Sequence, residues 1–74
     1  MNHRADRSIF CDNVKKIREL HHLSLQEMAE KLHIGVRSLS MIENGILPPR
    51  LSVKIIFLLC RNFEIYPSQL FTPL

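Results

Sequence analysis

Residues 23–45 read Leu23-Ser24-Leu25-Gln26-Glu27-Met28-Ala29-Glu30-Lys31-Leu32-His33-Ile34-Gly35-Val36-Arg37-Ser38-Leu39-Ser40-Met41-Ile42-Glu43-Asn44-Gly45, and this stretch decides the fold. Ser24 is a good helix N-cap, and Glu27 follows it at the spacing of a capping box. Leu23 before the cap and Met28 after it are placed to form a hydrophobic staple. A helix over 25–32 follows, with Met28, Ala29 and Leu32 on its inward side. His33-Ile34-Gly35 leaves room only for a tight turn. A third helix is expected from Val36 to Asn44, with Gly35 as N-cap, Ile34 and Leu39 as a second staple, and Ile42 continuing the inward face. Asn44-Gly45 stops it, since glycine takes positive φ readily.

Working outward, Phe10, Val14, Ile17 and His21 recur at spacings of four, three and four, which is a helical face. Ser8 is placed as the N-cap of this first helix, which should end near His21 or His22. Residues 1–7 are polar and without apolar periodicity, and read as a flexible arm in which Arg4 and Arg7 are available to a phosphate or a minor groove. After Gly45, two prolines put Ile46 to Arg50 in a loop. A fourth helix is expected from Leu51 to Phe63. It is apolar on most of its surface, more than a chain of this size can cover, so a partner subunit is expected. Tyr66 to Phe71 reads as one short helical turn with Pro67 at its first position. No segment alternates as a strand does. The expected architecture is all-α with five helices: an arm at 1–7 and one compact domain over 8–74.

The chain has 74 residues and a formal net charge of +3, compatible with a nucleic-acid partner without requiring one. A domain this short buries only ~60% of the surface its unfolded chain exposes, so its core is marginal. Cys11 and Cys60 are the only cysteines and form no CxxC pair, and both lie in apolar helical stretches. Buried free thiols are expected, with neither a metal site nor a disulfide framework. The longest apolar run, Ile55 to Cys60, is far short of the ~20 residues that span a bilayer. A soluble, cytoplasmic protein without cofactor is expected. No Ser/His/Asp order, paired carboxylates or phosphate-cradling glycine loop points to an enzyme.

Two short helices joined by a tight turn, with the small Ala29 five residues ahead of Ile34 where two helices cross closely, form a helix-turn-helix pattern over 25–44. The stretch from Val14 to Gly45, with its VKKIREL and LSLQEMAEKLHIGVRSLSMIENG segments, resembles the lambda-repressor-like (Cro/cI, Xre-type) family of DNA-binding domains without a gap. The similarity continues with weaker spacing through Ile65-Tyr66-Pro67-Ser68-Gln69-Leu70-Phe71. The resemblance implies a positioning helix from Leu25 to Leu32 and a recognition helix from Val36 to Asn44 in the major groove. It makes Val36, Arg37 and Met41 the base-facing candidates. Ser38, Ser40 and Asn44 become candidate phosphate or groove contacts. So do Ser24 and Leu25, at a helix start whose backbone N–H groups suit a phosphate. Arg18 and Glu43 correspond to a family ion pair linking the first helix to the end of the recognition helix.

The chain departs from the family at several positions. Leu25 stands where a glutamine often reaches a phosphate. His22 and His33 replace two glycines at positions that need positive φ, where histidine is tolerated better than most residues, and both read as helix-end residues. The recognition helix is largely apolar, with Arg37 its one obvious base reader, so the target is either rich in A·T steps or weakly discriminated. The loop after Gly45 is longer than in compact phage forms. Arg50 and Lys54 remain candidate phosphate contacts.

The expected function is therefore a sequence-specific regulator, a repressor, binding double-stranded DNA as a homodimer through its apolar fourth helix and C-terminal segment. The alternative is a protein-interaction module, such as an antitoxin or co-activator, that keeps the fold. No membrane or small-molecule ligand is indicated.

Overall fold

A computed structural model describes residues 3–47 and 53–74, with side chains from residue 8 onward. Four α-helices and a C-terminal 3-10 turn follow one another: α1 His3–Leu20, α2 Leu25–Leu32, α3 Val36–Glu43, α4 Val53–Phe63, then the turn Pro67–Phe71. The fifth expected helix is that 3-10 turn, and the described residues contain no strand. The start of α1 corrects the sequence reading. It lies at His3 rather than Ser8, so residues 3–7 are helical backbone and Ser8 sits inside the helix instead of capping it. Sequence periodicity failed there because the small Ala5 is the one apolar residue between Met1 and Ile9.

The core is one cluster. Phe10, Cys11, Val14 and Ile17 of α1 meet Met28, Ala29 and Leu32 of α2, Leu39 and Ile42 of α3, Ile55, Leu58 and Leu59 of α4, and Leu70 of the turn. Within it, α1 packs on α3 and on the C-terminal turn, α2 packs on α3 and α4, and α4 also touches the turn. The radius of gyration is 11.2 Å, close to what ~74 close-packed residues occupy. The fourth helix carries more apolar surface than the fold covers, as its composition implied. Ile55, Leu58 and Leu59 face the core, while Val53 and Phe57 are exposed. His21 is exposed too, and its ring lies 4.8 Å from that of Phe63. Cys11 is buried as expected, whereas Cys60 is half-buried and both are free thiols. Burial, and to a lesser extent Asp12, pushes the Cys11 thiol up from its ordinary pKa, which leaves it a poor nucleophile.

Every helix ends by the same device. His22, His33, Gly45 and Glu64 take φ of 54°, 55°, 87° and 54°. The next N–H then bonds back to the last helical turn: Leu23 to the Arg18 carbonyl, Ile34 to Ala29, Ile46 to Met41 and Ile65 to Cys60. This pairing satisfies carbonyls that the helix end leaves without partners. Only one of the four left-handed residues is glycine, where the missing Cβ removes the strain.

The C-terminal turn is fastened by a residue that the apolar pattern does not reveal. Asn13, on α1, is buried to 1% exposure. Its Nδ2 donates to the carbonyls of Leu70 at 2.8 Å and Thr72 at 2.9 Å, with Gln69 at 3.3 Å. Its Oδ1 accepts from the Leu74 N–H at 3.4 Å. Phe10 and Phe71 stack beside this clamp, ring centroids 5.5 Å apart. A buried amide is tolerated because all its polar atoms are paired.

Candidate functional site

The start of α2 is built by its capping box. The Ser24 Oγ accepts from the Glu27 N–H at 3.1 Å, and the Ser24 N–H donates to Glu27 Oε1 at 2.8 Å. Hydrogen bonding to the Glu27 carboxyl, from the Ser24 N–H first and the Ser24 side chain second, holds it below the usual glutamate range. The Leu25 and Gln26 N–H groups have no intrahelical acceptor at this end. The Leu25 side chain is half-buried against the core, so that residue offers a ligand its backbone alone. Ser24 is exposed, but its hydroxyl and N–H are already engaged. Gln26 is exposed at the same open helix end. The sequence reading did not single it out, because the family alignment put the polar reach one position earlier.

The turn from α2 to α3 is set by His33 in the left-handed region and by Gly35, which caps α3 in extended conformation. Helical geometry then divides α3. With 100° per residue, Val36, Ser40, Asn44, Arg37 and Met41 fall within an arc of about 140°. Leu39 and Ile42 lie opposite and are buried. Val36, Arg37 and Met41 are all exposed, as is Ser38, which lies about 60° beyond the arc on the Ile42 side. Ser40 is half-buried. The Asn44 Nδ2 donates to the Ser40 carbonyl at 2.8 Å, which turns that amide back onto its own helix instead of outward. The structure therefore brings the base-facing candidates onto one exposed surface, but leaves Asn44 only partly available.

The Arg18 guanidinium ties this helix to α1. Its Nε donates to Glu43 Oε2 at 2.7 Å, and a terminal nitrogen donates to Glu43 Oε1 at 3.0 Å. Its other terminal nitrogen donates to the Leu23 carbonyl at 3.0 Å. The side chains are 17% and 7% exposed. Such a two-point pair fixes orientation as well as distance. Its hydrogen bond to Glu43 holds the Arg18 proton even more tightly than usual. One guanidinium thus joins α1, the α1–α2 turn and the end of α3.

Lys54 is exposed on the first turn of α4. Arg50, and the arm candidates Arg4 and Arg7, lie outside the described side chains. Among the described residues no helix is long and apolar enough to cross a membrane. A family model described as helix-turn-helix matches residues 14–70, which include α2, α3, α4 and the Arg18–Glu43 pair. No curated protein and no solved structure gives a significant match.

Proposed function

The chain belongs to the lambda-repressor-like helix-turn-helix family of DNA-binding regulators, and on that premise we propose that it is a sequence-specific repressor that binds double-stranded DNA as a homodimer. The observation that carries the reading is the outward face of α3. Five side chains from Val36 to Asn44 share one face, and a partly buried two-point ion pair ties the helix that bears them to α1. An α-helix fits the major groove. The open end of α2, with the Leu25 and Gln26 N–H groups, suits a phosphate beside it. Arg37 is the base-reading side chain and also the single cation of α3. With genomic DNA as target, the protein would work in the cytoplasm and block a promoter by occupying it.

The dimer reading rests on α4. Val53, Ile56, Phe57 and Cys60 recur at helical spacing, on a stripe separate from the core-facing Ile55, Leu58 and Leu59. Val53 is 79% and Phe57 58% exposed. A contiguous apolar stripe on so small a domain is a contact surface. The same stripe supports a second reading, a protein-interaction module whose main partner is protein.

Selection of bound sequences from random DNA by the purified protein separates the two. Enrichment of a palindrome with half-sites ~10 base pairs apart is the expected result. If each subunit neutralises about three phosphates, the log–log salt slope of binding is about −5. Arg37→Ala should weaken binding by about 1–3 kcal/mol and relax one base position. No enriched sequence, or a salt slope near zero, would turn the assignment to the interaction module.

A further inference from the structure

The outward face of α3 is apolar at both edges. Val36 and Met41 bound the arc and are 43% and 42% exposed. Between them the polar groups are few and partly engaged. Reading adenine with an asparagine needs its amide N–H and oxygen together on one base edge. Asn44 keeps one N–H and its oxygen, but the bond from its Nδ2 to the Ser40 carbonyl holds the amide back against its own helix. Ser40, within the same arc, is half-buried, so Arg37 is the long exposed hydrogen-bonding reader and the two apolar side chains make up much of the remaining exposed face.

An apolar side chain in the major groove tells bases apart in one way. The thymine C5 methyl is the single apolar group on a base-pair edge there. Guanine and adenine present acceptors and an amine, and cytosine an amine. Valine or methionine against the methyl buries carbon on carbon. Against a polar edge, the same side chain displaces water and returns no hydrogen bond, which is unfavourable. Five residues of helix advance about 7.5 Å, against about 3.4 Å per base pair, so Val36 and Met41 fall on different base pairs.

Resting on the DNA-binding reading above, we infer that Val36 and Met41 are specificity-determining residues that recognise thymine methyl groups. Each half-site then carries thymines at two fixed positions on either side of the base pair met by Arg37. Each methyl contributes roughly four-fold to affinity, equivalent to about 0.8 kcal/mol.

The test uses the full chain and the sequence enriched by selection, resynthesised with deoxyuridine replacing one thymidine at a time. Uracil pairs as thymine does and lacks only the methyl. Two positions per half-site should each lose about four-fold in affinity, and the remaining thymines should be insensitive. Val36→Ala should abolish the uracil penalty at one of them and Met41→Ala at the other. Both side chains lie outside the core, and circular dichroism checks that the variants fold. Should either variant unfold, the wild-type uracil series still decides. Equal affinity for thymine and uracil at every position overturns the inference and leaves DNA binding standing. Binding without any sequence preference also overturns it. Failure to bind DNA at all instead removes the functional reading on which it rests.

Discussion

The Arg18 guanidinium spends its donors on two Glu43 oxygens and the Leu23 carbonyl. Because Glu43 is 7% exposed, losing Arg18 leaves a carboxylate that water barely reaches. Arg18→Ala should cost about 3 kcal/mol of unfolding free energy. Replacing both partners by apolar residues of similar size, Arg18→Met with Glu43→Leu, should cost less than either single change, because no charge is then stranded. Urea unfolding of the four proteins checks this. Equal losses for single and double variants would show that the pair acts through shape and not charge. The Glu27 carboxyl gives a pH signature. Its pKa is lowered by folding, so its stabilisation is present above the unfolded glutamate value of ~4.3 and disappears as pH falls through the folded value. Glu27→Gln keeps an acceptor for the Ser24 N–H but cannot titrate. Its urea midpoint should therefore fall less than the wild-type midpoint between about pH 6 and pH 3.

Helix ends are where these short elements gain or lose stability. Three of the four left-handed terminating residues carry a Cβ: His22, His33 and Glu64. That conformation costs an L-residue roughly 1–2 kcal/mol, partly offset by the greater freedom glycine has when unfolded. His33→Gly should therefore raise stability, by about 1 kcal/mol, and Gly45→Ala should lower it by a similar amount. A rise in urea midpoint for the first and a fall for the second is the expected pair of results. The elements also show what could be read without coordinates. Ser24, Glu27, Gly35 and Gly45 placed α2 and α3 almost to the residue, because caps and stops are local chemistry. The left-handed histidines were foreseen from the family glycines they replace. The start of α1 and the left-handed Glu64 were not, since neither carries a local signal. The outward residues of α3 were expected from the family resemblance, but the engagement of Asn44 depends on a rotamer that composition does not reveal.

At the scale of the whole molecule, the core is a single cluster; Ile56 and Cys60 of the α4 stripe pack against its edge, while Val53 and Phe57 stand exposed outside it. If that stripe is the dimer contact, a charge placed on it should separate the subunits without touching the core. Phe57→Glu should sediment as a monomer, keep its helical circular dichroism, and bind a palindromic site far more weakly than the wild type. An unchanged sedimentation coefficient would exclude Phe57 from the contact. Another long-range link is the clamp made by Asn13, whose bond to the Leu70 carbonyl spans 57 residues of chain. During synthesis this has an order built into it. Asn13 emerges first, but the carbonyls of Leu70 and Thr72 follow it only 57 and 59 residues later. Until then its amide must stay in water, so α1 cannot sink fully into the core of a half-made chain. A nascent chain stalled before residue 70 should remain open to proteases, and arrival of the segment from Leu70 to Thr72 works as the latch that admits this domain to its folded state.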